Sequence, residues 1–265
     1  MAVGRARKRP QINNLFILYN VVFFSRKDMP GFSIYSGEVC SDEQLSERLG
    51  RYTFTQDLVE NGDHFGLTDE VQNFEIRRDG TIQFTFSSDA RSSFPFRGGS
   101  RSYTRTNEVS VRIIRSNTLI YLLELVKGAK SSEISTKIST LVYGRSSAIK
   151  KAKITSNAIK EIESRDYRKI SAEGFFDLTD RDSLLVAYGN LAIRQENGSE
   201  DFSEVHSRYR NKSKGYTRFK SMSTGSEVFI SAKKASLSMK GPRLSLNNVE
   251  RYIKSNLIQR LQTGS

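Results

Sequence analysis

The sequence predicts an α+β protein: two β-rich lobes of mostly antiparallel strands, bridged by short amphipathic helices and ending in a C-terminal helix. Three stretches carry that reading. In "NFEIRRDGTIQFTF", apolar side chains alternate on either side of Asp79-Gly80, the pattern of a hairpin with one apolar face. Between Gly128 and Arg168 the apolar residues recur at helical spacing instead. At the end of the chain Val249, Ile253, Leu257 and Leu261 repeat every four residues, the stripe of one amphipathic helix.

Taken in order, the chain opens with a basic arm, "MAVGRARKRP", expected to be disordered, and the apolar run "LFILYNVVFF". Together they mimic a signal peptide. Asn20 interrupts the run, however, and "SRKD" follows it with no small-residue cleavage site. The run is also about half the roughly 20 residues needed to cross a bilayer. Its aromatic and β-branched content predicts a strand over Ile12 to Phe24, central in a sheet and covered on both faces. No membrane insertion is expected, and the protein is expected inside the cell.

"SDEQLSERLGRY" predicts a short helix in which Ser41 caps the Gln44 backbone N–H while Leu45 and Leu49 share a face. The hairpin at Asp79-Gly80 follows, with a type I′ turn expected and Phe74, Ile76, Ile82, Phe84 and Phe86 on its apolar side. "EVSVRII" reads as a strand, and "TLIYLLELV" fits strand or helix equally by pattern. Ile134, Ile138, Leu141 and Val142 mark one helix; Ile154, Ala158 and Ile162 mark another, with Ser156 or Asn157 as cap. The apolar runs of "FFDLTDRDSLLVAYGNLAIRQENGSEDF" read as strands around an Asn197-Gly198 turn. "SEVFIS" and "ASLSMK" add two more, and Ser245 or Asn247 caps the last helix. The implied organisation is an arm at 1–10, an N-terminal lobe at 11–127, a helical connector at 128–169 and a C-terminal lobe at 170–265.

Charge points to the partner. The 265 residues carry a formal net charge of +13, which favours phosphate polyanions. Its distribution is more telling: Glu38 to Gly80 holds eleven acids against four Lys or Arg. That acidic segment, 38–80, is a candidate surface for a protein partner, or a guard against indiscriminate binding.

Two basic stretches interleaved with aromatic residues stand out elsewhere, each containing Tyr-Thr-Arg. The first holds Arg97, Arg101, Tyr103 and Arg105; the second holds Arg208, Arg210, Lys212, Lys214, Tyr216, Arg218 and Lys220. Phosphate backbones need cations that displace condensed counterions, and base faces need flat side chains to stack on. Arginine adds a planar fork that grips phosphate oxygens in pairs. Both stretches are expected to be loops on a β scaffold, alike through shared chemistry more than duplication. Lys150, Lys151 and Lys153 of "IKKAK" are expected to make the helical connector basic as well.

Enzyme signatures are sparse. No GxxxxGK[ST] or GxGxxG occurs, and Cys40 is the sole cysteine, which rules out an intramolecular disulfide and a cysteine zinc site. No cofactor is expected, and no residue is assigned to catalysis or metal binding. The cluster Glu173, Asp177, Asp180 and Asp182 is the one opening for a Mg²⁺-dependent nuclease, and reads more simply as turn and cap residues. Asp63-His64 is ambiguous in the same way. The expected function is therefore nucleic-acid binding, DNA or RNA, without sequence specificity, within a larger assembly. The alternatives are a scaffolding subunit that meets an acidic partner and, behind it, the nuclease.

Overall fold

A computed structural model describes residues 29–60, 63–97, 99–176, 190–194 and 213–261. The first half contains β1 (Gly31–Gly37), α1 (Asp42–Leu49), β2 (Thr53–Glu60), β3 (Asp63–Ile76), β4 (Ile82–Phe96), β5 (Gly99–Arg115) and β6 (Leu119–Glu124). Then come α2 (Ser131–Tyr143), β7 (Ile149–Lys151), α3 (Ser156–Asp166), β8 (Tyr167–Phe176), β9 (Asn190–Arg194) and β10 (Ser213–Ser221). The chain closes with β11 (Glu227–Ser231), β12 (Ser236–Lys240) and α4 (Leu246–Asn256). This is an α+β fold of antiparallel strands with four α-helices among the described residues, one of them C-terminal. None of these helices is long and apolar enough to cross a membrane.

The two β-rich halves are continuous. Strand order runs β2-β3-β4-β5-β6-β1-β12-β11-β10-β8-β9, and the halves join where Gly31 to Ser33 of β1 pair with Ser238 to Ser236 of β12. β7 pairs with the other end of β1, at Tyr35 to Gly37. The expected pair of lobes is thus one sheet, and what is double is its faces. Phe32 and Ile34 of β1 enter one apolar core with Ala158, Ile159 and Ile162 of α3 and Val249 and Ile253 of α4. Tyr35 enters the other, with Leu45 and Leu49 of α1 and Ile134, Ile138 and Val142 of α2. Alternate residues of a strand face opposite sides, so the two cores lie on opposite faces. The connector helices α2 and α3 accordingly pack on opposite faces of one sheet rather than bridging two. β1 and β6 are buried at successive positions; β6, LIYLLE, is accordingly apolar almost throughout, whereas β1, GFSIYSG, fills several of those places with glycine and serine. That also settles "TLIYLLELV" as a strand, β6, flanked by β1 and β5.

Local expectations fare unevenly. The Ser41 hydroxyl accepts the Gln44 N–H at 3.1 Å, as the sequence predicts. For α3 the cap is Thr155, whose hydroxyl accepts the Ala158 N–H; neither Ser156 nor Asn157 serves. Lys150 and Lys151 stand on β7 and Lys153 just beyond it, so the basic run is not helical. Ser245 begins α4 through a capping box with Asn248, and the helix stops at Asn256, short of Leu261. The strand expected over Ile12 to Phe24 and the turn at Asn197-Gly198 lie outside the described residues.

The Asp79-Gly80 hairpin forms with a different turn. Among its residues only Gly80 has positive φ, at 76°. The Gly80 N–H bonds to the Arg77 carbonyl and the Arg77 N–H to that of Thr81, a three-residue loop ending in a left-handed glycine. A Cβ at Gly80 meets nothing within 4 Å, so only the backbone resists substitution. Gly80→Val should therefore cost about 1–2 kcal/mol in a denaturant melt and leave ligand binding unchanged. Asn73, also at positive φ, marks a bulge that shifts β3 against β4 and sets Ile76 opposite Ile82 on the core face, although Ile76 stays 48% exposed there.

Buried charges tie the helices to the sheet. Glu250 of α4 accepts from Arg77 at 2.7 Å, from Lys254 at 2.6 Å and from buried Arg112 of β5. Arg112 also donates to Asn247, and Lys254 reaches Asp79 in the hairpin turn at 2.8 Å. Under α3, Lys214 of β10 is held between the carboxylates of Glu163 and Glu173.

A candidate nucleic-acid interface

The first basic-aromatic stretch is not a loop. β4 and β5 pair without a break from Ile82↔Ile113 to Phe96↔Gly99, so the stretch is the outer half of a long hairpin. Pairing of β3 with β4 runs only to Asp69↔Ser88, whereas β2 and β3 pair on to Glu60↔Asp63. Beyond Ser88 the sheet therefore divides into two ribbons that together form an arm. Asp89 holds the fork: its carboxylate accepts the Thr68 N–H at 3.0 Å and the Thr106 hydroxyl at 2.6 Å. Next to it the Arg91 guanidinium lies 5.2 Å from the Phe65 ring centre and donates to Ser102.

Strand alternation decides which side chains share the arm's faces. Tyr103 and Arg105 continue the row of Val109, Val111 and Ile113; Ser92 and Phe94 continue that of Phe84 and Phe86. That face carries α1 and α2 over the core. Further out Phe94 and Tyr103 form a tilted ring pair 6.0 Å apart, 46% and 43% exposed. On β2 and β3, Phe54 and Asp69 share this face; further out, where β3 no longer pairs with β4, Phe65 lies against Arg91, which alternates to the face of β4 opposite Phe94.

Cations rim this surface. Arg97 is exposed at the hairpin tip. Arg105 is exposed and donates to the Lys127 carbonyl at 2.9 Å. Its guanidinium rests against Gly128, where a Cβ would come within 2.4 Å, so glycine at that position (φ 87°) gives the arginine its seat. Lys137 of α2 reaches Asp69 at 2.6 Å and Ser88 at 2.8 Å. Arg101 stands on β5, its backbone paired with that of Phe94.

The second stretch behaves differently. It too is a strand where described, β10, lying between β11 and β8. Register carries Arg218 through Phe229 and Ser238 to Gly31, and Tyr216 through Ser231 and Ser236 to Ser33. Tyr216, Arg218 and Lys220 therefore share a face with Tyr103 and Arg105, but five strands away, and Tyr216 is level with Val111, eight residues inboard of Tyr103 on β5. Both Tyr-Thr-Arg motifs point their tyrosine and arginine to one side. Their surroundings are unlike, however. Tyr216 packs on Phe229 with ring centres 5.9 Å apart, and burial, then the nearby Glu173 charge, raises its hydroxyl above the ordinary range. Arg218 is paired with Glu227. Lys214 is 4% exposed and held by two carboxylates, which makes it part of the interior and removes it from any phosphate contact. Lys220 is exposed; Arg208, Arg210 and Lys212 lie outside the described residues.

Lys150, Lys151 and Lys153 are exposed but stand at the end of β1 opposite its junction with β12, and the fold does not bring them to the arm. The acidic segment maps to α1, β2, β3 and the hairpin turn. Some of its charge is engaged internally: Glu38 by Arg145, Asp42 by Arg115, Asp69 by Lys137 and Asp79 by Lys254. Among the described residues no three His, Cys, Asp or Glu side chains gather as a metal site. Glu173 of the carboxylate cluster is committed to Lys214, and Asp177, Asp180 and Asp182 lie outside the described residues.

What the arm offers is flat rings for stacking, guanidinium groups for phosphate oxygens and hydroxyls between them. No family model matches the chain, and no curated protein or solved structure matches it either.

Proposed function

We propose that this protein binds nucleic acid on the Phe94–Tyr103 face of the β4–β5 hairpin, with single strands preferred over duplex. The observation that carries the reading is the exposed Phe94–Tyr103 pair, set between Arg97 and Arg105 on a sheet face of a strongly basic chain. Unpaired bases have free faces that stack on such rings; paired bases offer few. The arginines supply contact to the backbone without reading its sequence. Lys220 and the second Tyr-Thr-Arg lie on the same face over the body of the sheet, inboard of the arm, with Arg218 modulated by its glutamate partner.

Fluorescence anisotropy with labelled 15-mers of single-stranded DNA, single-stranded RNA and duplex DNA at two salt concentrations tests this directly. Single strands should bind at least about tenfold more tightly than duplex, since one stacked base contributes about 1–3 kcal/mol. Equal affinity for all three, or none for any, would refute the reading.

A further inference from the structure

β2 ends the sheet on the arm side. Among the described residues nothing pairs with its outer edge, Thr53 to Asp57 are all exposed, and Phe54 and Val59 are 50% and 57% exposed. Strands meant to stay unpaired are usually blunted by lysine, proline or a bulge. "TFTQDLVE" has no lysine or proline, and it pairs with β3 over its whole length without a register shift. Among the described residues the edge is an open template.

Its charge names the occupant. From Thr53 to Ile76 there are six acids and no lysine or arginine, in a chain whose net charge is +13. Asp69 is taken by Lys137 and Glu70 by Gln72, while Asp57 and Glu75 are exposed. A nucleic-acid strand is repelled from such an edge. We propose that the outer edge of β2 docks an extended, lysine- or arginine-bearing segment of a partner protein, added to the sheet as a further strand. Backbone hydrogen bonds supply the affinity. Phe54 and Val59, on opposite faces of β2, each meet an alternate side chain of the incoming segment, and Asp57 meets its cations. This surface goes beyond the nucleic-acid reading. It lies three strands from β5, so both ligands fit at once.

The test uses the full chain and three ten-residue peptides: one alternating lysine with threonine or valine, the same peptide N-methylated at every second residue, and a glutamate analogue. Calorimetry and amide hydrogen exchange are the readouts. The lysine peptide should bind and slow exchange across Thr53 to Val59. N-methylation, the glutamate analogue and Val59→Lys should each weaken binding at least about tenfold, because each removes edge pairing or charge complementarity. Equal binding of the N-methylated peptide would reduce the contact to charge adhesion and overturn the proposal. So would peptide binding that leaves β2 exchange unchanged, or a dimer of this chain that protects β2 without peptide. Single-strand affinity measured on Val59→Lys separates this surface from the aromatic face, and its loss would show that the two are one site.

Discussion

Lys214→Met should destabilise the fold by about 3–5 kcal/mol, the usual cost of removing one member from a buried ion pair. The lysine is buried under α3 with carboxylates of α3 and β8 on either side. Taking it away leaves Glu163 and Glu173 facing each other in the interior, and neither can turn to water without moving α3 or unpairing β8. The informative partner is a triple variant, Lys214→Met with Glu163→Gln and Glu173→Gln. It removes the charges together and should regain much of the loss, since the penalty comes from uncompensated charge. Urea denaturation of the three proteins checks both statements. A Lys214→Met midpoint close to wild type would mean that the lysine is not the counter-charge in solution.

Glu250→Gln should cost about 3 kcal/mol, and it should change the pH dependence of stability as well. Burial alone would raise the Glu250 carboxyl, but hydrogen bonds from Lys254 and Arg77 and the Arg112 charge outweigh it and hold the group below its ordinary value of 4.5. Asp79 is held low by the Lys254 hydrogen bond and the Thr81 backbone N–H. A carboxylate depressed by folding stabilises above its unfolded value, and that contribution drains away as pH falls through the folded one. Wild type should thus lose stability steadily below about pH 4.5, and Glu250→Gln should lose less over that window because Asp79 alone remains of the two. Parallel acid limbs for the two proteins would show that α4 is not held to the hairpin by this carboxylate.

How much of this was legible follows from the range of each interaction. The Ser41 cap, the α2 stripe of Ile134, Ile138 and Val142, and the Asp79-Gly80 hairpin are all decided within a dozen residues, and all are present. The type of turn was not legible, because Asp79 keeps negative φ while its side chain bonds the Thr81 N–H and Lys254 from a distant helix. The union of the two halves rests on Gly31 to Ser33 meeting β12 some two hundred residues later, and no local pattern encodes that pairing. Site reading failed in the same way. Lys214 and Arg105 look equivalent in sequence, both basic and beside aromatic residues. Only the fold puts Glu163 and Glu173 around the first and leaves the second at the rim of an exposed face.

The most direct test of the central claim compares single-strand binding by wild type, Phe94→Ala with Tyr103→Ala, and Arg97→Ala with Arg105→Ala across a salt series. The ring pair lies on an exposed face away from both cores, so its loss should leave the fold intact. Removing the rings should weaken binding by at least about 1–3 kcal/mol and leave the slope of log affinity against log salt unchanged. Removing the arginines should flatten that slope by about 1.4, or roughly 0.7 for each phosphate contact on a single strand. If both double variants bind as wild type does, with the same slope, the arm is not the nucleic-acid site.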